Sequence, residues 1–366
     1  MNIFEMNNAH KDAEAFTGKF HKNSPIVEVF SAWVDGKSLD KFGKQADASI
    51  NYIKELGDRA NNGDPVAVAE LNTLRRFVIE PKLAEEMKLL GVFGSYQAIG
   101  WDETAEIEAV DFVGEKSRIQ AENGDVVFPI PSRKRVPVPF VTISGGMVNN
   151  YRALANGNSD FEAEQAEQVR TDIRNRATAY VINQVYDAVK NAGGVNYMFE
   201  AAGLTKVGVD DVLRKVRRYG KPTIAGSYAL VSQLNNFAGF IGKVDTTTIT
   251  GVSERTMNEI ADTGLLGMYN GAVVSELNTG IDYSRLNADG TDYASLIPEG
   301  LGLVLPNGGR SPIRTFTRGG LTSFSGNDPH TGTILTRFDL SVGAGVAPGR
   351  ENEVGILYDT DIGGLE

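Results

Sequence analysis

The chain has 366 residues, of which 41% are hydrophobic and 23% charged, so wholesale disorder is excluded. Its formal charge of −11 argues against a protein that wraps or reads nucleic acid, because such proteins are normally basic. The absence of cysteine excludes disulfides, thiolate zinc sites and a cysteine nucleophile.

The sequence carries no targeting or membrane signal. No apolar run is as long as a membrane span. Residues 1–16 contain neither the basic n-region nor the apolar h-region of a signal peptide. We therefore expect no membrane partner. Glycine is frequent, with 41 residues concentrated after Gly193, which predicts many tight turns between short strands.

Residues 1–34 are predicted to form an extended arm. Their aromatic residues are irregularly spaced among polar ones, which is not a helical pattern. Arms of this kind become ordered when they lie on another molecule. Phe16, Phe20 and Trp33 are therefore candidate anchors on a neighbouring subunit.

Helical patterns dominate from Lys37 to about residue 90. Apolar residues recur at three-to-four spacing in 46–56 and 66–78, with a turn between these two segments. A third helix is predicted at 82–90 because the pattern restarts next to Pro81.

A long β excursion is predicted over residues 95–147. Residues 106–113 alternate like a half-exposed strand, and Asn123-Gly124 is a strong hairpin-turn signal. The four prolines within 126–141 are incompatible with a central strand. The segment is too poor in apolar residues to form its own core, so we expect it to pack on another molecule.

Basic residues in this excursion are candidate contacts. Arg133-Lys134-Arg135 fits either nucleic acid or an acidic neighbouring subunit, and the acidity of the chain favours the subunit. The residues predicted to contact other subunits are Lys116, Arg118, Arg133, Lys134, Arg135, Phe16, Phe20 and Trp33.

The most informative single element is an uninterrupted helical pattern over residues 159–191. Ser159 and Glu162 form a capping box at its start, and the glycine pair at 193–194 ends it. At 1.5 Å per residue it reaches about 45–50 Å. The first half is charged around a narrow apolar stripe, whereas the second half from Tyr180 is apolar almost all round and is expected to be buried.

A compact α/β block follows, with Ser227 as a predicted helix cap. The helices predicted in this block lie at 209–219, 228–234 and 253–262. The strands predicted lie at 223–225, 246–250, 272–274, 301–305, 313–317, 332–342 and 354–358. No helix is expected after residue 296.

The inventory of catalytic and ligand-binding chemistry is nearly empty. His10, His21 and His330 have no metal-ligand spacing around them. The glycine-rich stretch 343–349 precedes no helix, and 287–292 lacks the terminal glutamate of a calcium loop, so both are predicted to be turns. We predict no catalytic, cofactor-binding or metal site, and no enzyme.

The order of elements resembles the major capsid protein of tailed bacteriophages, the Hong Kong 97-type fold. Residues 106–142 look like that family's extended E-loop hairpin, and 159–191 look like its spine helix. The leucine-glycine segment 264–274 resembles one in its axial domain. The Arg-x-Asp segment 336–342 resembles a late strand of its peripheral domain. The resemblance covers roughly residues 95–360.

The resemblance implies an α+β fold of five segments. They are an N-terminal arm and helical segment at 1–94, the E-loop region at 95–147, the peripheral domain with the spine helix at 148–194, the axial domain at 195–308, and the return strands of the peripheral domain at 309–366. Residues 1–94 extend beyond the minimal pattern of the family.

The implied function is a structural subunit that assembles into hexamers and pentamers of an icosahedral shell enclosing double-stranded DNA. The implied partners are further copies of the chain, a portal, scaffolding or decoration proteins, and packaged DNA held without sequence preference. The implied location is the virion, after assembly in the host cytoplasm. Two alternatives remain open: an encapsulin-type compartment around cargo enzymes, and a soluble α+β enzyme.

Overall fold

A computed structural model describes the elements of the chain, and they confirm the α+β class. The described residues are 24–34, 37–89, 94–113, 119, 128, 130–149, 160–192, 197–237, 264–287, 290–307, 311–328 and 333–362. The helices are α1 Pro25–Val34, α2 Lys44–Asn61, α3 Pro65–Leu89, α4 Asp160–Lys190, α5 Lys206–Val216 and α6 Tyr228–Val231. The first strands are β1 Ser95–Ile99, β2 Glu106–Val113, β3 Ile130–Pro137, β4 Phe140–Asn149, β5 Tyr197–Ala201, β6 Lys221–Gly226 and β7 Met268–Tyr269. The remaining strands are β8 Ala272–Glu276, β9 Ile281–Leu286, β10 Tyr293–Ser295, β11 Leu301–Asn307, β12 Ile313–Asp328, β13 Thr333–Val346 and β14 Gly355–Asp359.

The chain divides into two compact units, each made of segments that are distant in sequence. Unit 1 comprises Met1–Leu89, Val141–Ala177 and Thr317–Val342. Unit 2 comprises Leu90–Phe140, Thr178–Phe316 and Gly343–Glu366. The N-terminal helices therefore share a unit with strands from the middle and the end of the chain.

The N-terminal helices of unit 1 form their own apolar cluster. Its fully buried members include Ile26 on α1, Ile53 on α2 and Leu74 on α3. The prediction of an extended arm is therefore wrong for residues 25–34, where the apolar positions fit a helical face on this cluster. Residues 1–23 of the predicted arm lie outside the described residues.

A carboxylate holds the turn between α2 and α3. Asp64 Oδ1 accepts from the backbone N–H of Val66 at 2.9 Å, which caps α3, while Pro65 occupies the first helical position. Asp64 Oδ2 lies 2.6 Å from Arg59 Nη2 at the end of α2. Hydrogen bonding from Arg59 lowers the pKa of Asp64. The predicted break at Pro81 is wrong, since α3 continues through it to Leu89 and one missing backbone donor does not end a helix of this length.

The long helix α4 confirms the helix predicted over 159–191. In unit 1 its residues Val169 and Ile173 are buried against β4, where Ile143, Gly145 and Met147 alternate inward. In unit 2 its residues from Val181 to Val189 include four that are almost completely buried. The predicted capping box falls outside the described residues and side chains, as does the glycine pair at 193–194.

Unit 2 is built on a six-stranded sheet in the order β5-β14-β11-β6-β8-β7. β11 is antiparallel to both β14 and β6, whereas β5 with β14 and β6 with β8 are parallel pairs. Helix α5 covers the sheet so closely that a Cβ at Gly355 would lie 2.5 Å from Val212 Cγ1. The predicted cap at Ser227 is confirmed, because its Oγ accepts from the Leu230 N–H at 3.1 Å.

The C-terminal strand of this sheet ends on a buried carboxylate. Asp359, 1% exposed, accepts from the Gly203 N–H at 2.8 Å and from Gln233 Nε2 at 2.5 Å. Burial alone would raise the pKa of Asp359, but these hydrogen bonds outweigh it and lower the pKa. The contact ties β14 to the loop before α5 and to the turn after α6.

A second sheet has the order β1-β12-β13-β4, and β2 with β3 and β9 with β10 form separate two-stranded ribbons. The structure confirms the strands predicted at 106–113, 223–225 and 272–274. It also confirms the four strands predicted at 301–305, 313–317, 332–342 and 354–358. Sequence reasoning missed β1, β5, β9 and β10, and the elements predicted at 246–250 and 253–262 lie outside the described residues.

Adjacent glycines on β4 provide a test of the helix–strand packing. A Cβ at Gly145 would lie 2.8 Å from Val169 Cγ1, whereas a Cβ at Gly146 would meet nothing within 4 Å. We expect Gly145→Ala to lower the free energy of unfolding by about 1–3 kcal/mol through overpacking, while Gly146→Ala leaves it unchanged or slightly higher. Denaturant unfolding measures both, and equal midpoints would contradict the close approach.

Truncation distinguishes the arm from the first helix. Deleting residues 1–23 leaves every described member of the buried cluster in place, so we expect the melting temperature of the subunit to stay near that of the full chain. Deleting residues 1–34 also removes Ile26, Val27 and Phe30, each contributing about 1.5–3 kcal/mol of burial, and should lower it strongly. Calorimetry of both truncations is the measurement, and equal melting would show that α1 is dispensable.

Candidate assembly interface

The β2–β3 hairpin has two strands and therefore two open edges. Its antiparallel register runs from Glu106 opposite Pro137 to Val113 opposite Ile130 without interruption. Eight residues per strand correspond to about 26 Å of extended chain. The prediction of a proline-containing β excursion is confirmed for these strands, and their prolines are tolerated because neither strand is central.

A small apolar cluster fixes the root of the hairpin. Ile107 on β2, 3% exposed, packs with Val138, Phe316 and neighbouring residues in this cluster. Strand β13 permits this packing because a Cβ at Gly345 would lie 3.0 Å from Ile107 Cδ1. Beyond Ile107 the described side chains of the hairpin are exposed, so the root is where this chain buries the hairpin.

Strand alternation divides the basic cluster that the sequence suggested. Arg133 and Arg135 point to one face of the ribbon and Lys134 to the other. On the arginine face, Arg133 Nη1 lies 3.5 Å from Glu108 Oε1, and Arg135 Nη1 lies 3.7 Å from Glu106 Oε2. These diagonal pairs are exposed and contribute little stability, so the face stays available to a partner.

An exposed tryptophan stands beside the root. Trp101, 57% exposed, lies in the turn between β1 and β2, whose ends Ile99 and Ala105 are buried in the root cluster. The Gly100 N–H donates to Glu103 Oε2 at 3.1 Å, which closes the turn. Tryptophan on a rigid support is a typical interface anchor. Sequence reasoning missed this residue, although it is one of only two tryptophans.

The other predicted contacts divide into two groups. Trp33 is half-buried against the cluster of the N-terminal helices, and its ring meets that of Phe30 edge-on, with 6.3 Å between the ring centroids. Lys116, Arg118, Phe16 and Phe20 lie outside the described residues. As contacts to other subunits, all of them stay predictions.

The Arg-x-Asp segment forms an ion pair on the exposed face of the unit 1 sheet. Arg337 Nε lies 2.6 Å from Asp339 Oδ1, and Arg337 Nη2 donates to Ser144 Oγ on β4 at 2.9 Å. Burial alone would raise the pKa of Asp339, but the hydrogen bond from Arg337 outweighs it and lowers the pKa. Phe324 and Leu335, 61% and 48% exposed, lie beside this pair and add apolar surface.

The leucine-glycine segment contains a tight hairpin that sequence reasoning did not identify. Asn270 and Gly271 both have positive φ, 46° and 79°, and join β7 to β8. Asp210 on α5 accepts from Tyr269 Oη at 2.9 Å and from Asn270 Nδ2 at 2.7 Å. The Asn-Gly dipeptide was the signal for this turn.

The described residues offer neither a metal-ion site nor a membrane-spanning helix. Among them, no group of three or more His, Cys, Asp or Glu side chains could hold a metal ion. None of the helices in the described part of the chain is long and apolar enough to cross a membrane. In the segment 287–292, residues 288 and 289 lie outside the described residues, and Asn287 Oδ1 accepts from the Thr291 N–H at 3.0 Å.

Comparisons with known proteins point to capsids. A family model described as "SPbeta prophage-derived putative capsid protein YonB" matches residues 5–358. No curated protein sequence matches the chain.

Three solved structures illustrate the structural similarity. The capsid of cyanophage P-SCSP1u has 11% identity and a TM-score of 0.47, with 73% of this chain and 86% of that chain covered. The mature capsid of bacteriophage PhiM1 has 14% identity and a TM-score of 0.46, covering 74% and 86%. A virus-like particle from Pyrococcus furiosus has 11% identity and a TM-score of 0.45, covering 76% and 97%.

A cross-strand pair tests whether the root holds the hairpin. Ile107 is buried and Val136, directly opposite, is 36% exposed. We expect Ile107→Ala to accelerate amide hydrogen exchange across both strands at least tenfold, because it removes the main apolar anchor, at a cost of about 2–5 kcal/mol for a buried Ile-to-Ala change. Val136→Ala is the control and should change exchange little. Similar exchange in the two variants would show that the root cluster does not hold the hairpin.

Proposed function

Because the chain belongs to the YonB family of prophage-derived capsid proteins, we propose that it is the major capsid protein of an icosahedral shell built from hexamers and pentamers of this chain. The shell would enclose double-stranded DNA. The role is structural: copies of the chain would contact one another to form the shell.

The observation that carries the proposal is the β2–β3 hairpin. Among the described strands, β2 and β3 pair only with each other, and the described side chains beyond the root are exposed. An isolated two-stranded hairpin is marginally stable in water, so this one gains stability when a second molecule covers it. Its arginine–glutamate face and Trp101 at its root supply the polar and aromatic groups that a subunit interface uses.

The proposed architecture follows the five segments that the resemblance implies. Residues 95–147 would act as the E-loop laid over a neighbouring subunit, and 195–308 would act as the axial domain around the capsomer axis. Residues 148–194 and 309–366 would form the peripheral domain, with α4 as its spine. Residues 1–23 would lie on a neighbour as an arm, whereas α1 to α3 belong to the core of unit 1.

Assembly would depend on many contacts that are individually weak. In a closed symmetric shell each subunit is held by several neighbours at once, so modest interfaces act together. The acidity of the chain, with a formal charge of −11, would keep most of its surface from adhering to packaged DNA. The further partners that we propose are a portal and scaffolding or decoration proteins. The chain would assemble in the host cytoplasm and would be part of the virion.

The hairpin tip provides the direct test. Replacing residues 114–129 with Asn-Gly would join β2 to β3 in the existing register, so the subunit should fold with an unchanged melting temperature. We expect this variant to form no closed shells under conditions in which the full chain does. Electron microscopy and size-exclusion chromatography are the measurements.

A second variant separates the length of the tip from its side chains. It carries a Gly-Ser segment as long as 114–129 and should also fail to close, because the contacts are made by side chains. Normal shells from both variants would refute the E-loop assignment. A full chain that stays monomeric or dimeric would refute the capsid function, and particles filled with protein cargo instead of DNA would indicate a compartment.

A further inference from the structure

A dense run of positive charge stands out from this acidic chain. Five of its 36 lysine and arginine residues fall within eight consecutive positions, with no aspartate or glutamate among them. The five residues are Arg214, Lys215, Arg217, Arg218 and Lys221, and we call them the basic run. Nothing in the proposed contacts of the hairpin or the arm uses them.

The fold presents the basic run to solvent on a rigid support. The buried side of α5 includes Val212, Leu213 and Val216. Positions 214, on the helix, and 217 and 218, directly after it, are exposed. Backbone hydrogen bonds from Arg217 to Leu213 and from Arg218 to Lys215 fix the end of the helix. The side chain of Arg214 is 73% exposed.

Part of this charge already has a structural role. Arg214 and Lys215 each lie 2.6 Å from Asp211, and both stand in the last helical turn, where the helix dipole favours cations. Arg217 donates to the Asn270 carbonyl at 3.3 Å and so holds the β7–β8 turn.

Arg218 and Lys221 have neither the Asp211 partner nor the Asn270 partner. Arg218 is in the following turn and Lys221 begins β6, and both are exposed. Neither forms an ion pair with any residue in the described ranges. Tyr219 stands between them, 42% exposed, with its hydroxyl hydrogen-bonded to that of Tyr197. The exposed surface therefore combines at least two uncompensated cations with one aromatic ring.

We propose that the basic run contacts the phosphate backbone of the enclosed DNA without reading its sequence, an inference that rests on the proposed capsid function. Guanidinium groups match pairs of phosphate oxygens, and aromatic residues among arginines are typical of nucleic-acid surfaces. The eight positions carry no aspartate or glutamate, and such an excess of positive charge complements a phosphate backbone. A basic patch on a subunit with a net negative charge would hold DNA weakly and leave it free to slide.

Binding of the full-length, unassembled chain to a short random-sequence DNA duplex tests the proposal. The variant Arg214→Gln/Arg218→Gln/Lys221→Gln removes three cations and leaves Arg217 on its structural partner. Each lost phosphate contact makes the negative slope of log K against log salt shallower by about 0.9, so the slope should become shallower by about three. The control Arg133→Gln/Lys134→Gln/Arg135→Gln removes the same charge from the hairpin and should bind DNA like the unaltered chain.

The double variant Arg218→Gln/Lys221→Gln leaves the Asp211 pairs intact and guards against a folding defect. It should melt like the unaltered chain and make the negative slope of log K against log salt shallower by about two. Equal slopes for the basic-run variants and the hairpin control would overturn the proposal, as would an unaltered chain that does not bind DNA at low salt.

Shell formation by the same variants separates the two hypotheses. A basic-run variant that binds DNA normally but forms no shells would show that the run contacts an acidic surface of a second copy, which overturns the DNA contact. An unaltered chain that forms no shells under any condition refutes the capsid function, whatever the DNA measurement shows.

Discussion

Close approach of helices and of the hairpin root to glycine-bearing strands is the constraint on which both units depend. In unit 1, α4 meets β4 at Gly145, and in unit 2, α5 meets β14 at Gly355. The hairpin root uses the same device at Gly345. At this range the facing side chains fill the space that a Cβ would take, and the interior reaches the density of a packed core. The helix α5, which carries the start of the basic run, and the exposed part of the hairpin are both held in place at such contacts.

The distribution of charge follows from that framework. Because the hairpin extends beyond its root as a ribbon, its alternating side chains place arginines and glutamates on one face and Lys134 on the other. Because α5 buries one face, its basic residues gather on the opposite face. The same acidic chain therefore carries one paired surface suited to a protein neighbour and one basic surface suited to phosphate.

Several differences between expectation and structure have one physical cause, which is that an isolated sequence does not show what lies on either side of an element. The aromatic residues of 25–34 are irregularly spaced, but together with Ile26 and Val27 they form a helical face that packs on Ile53 and Leu74 of later helices. Arg133, Lys134 and Arg135 looked like one cluster because sequence adjacency hides strand alternation. The glycines concentrated after Gly193 were interpreted as turns, although Gly345, for example, lies inside strand β13 against Ile107 of the hairpin root.

The sequence by itself determined the elements whose signals are local. The period of α4, the alternation of β2 and the cap at Ser227 each depend on residues near one another in the chain, and all could be predicted. The capsid family resemblance depends on the order of such elements along the chain. Only the tertiary structure decided that the N-terminal helices share a unit with β4 and β13, that Trp101 is exposed beside a buried root, and that the basic run is left facing solvent. These features depend on which distant segments pack together, and burial, unlike helical period, is a property of the whole fold.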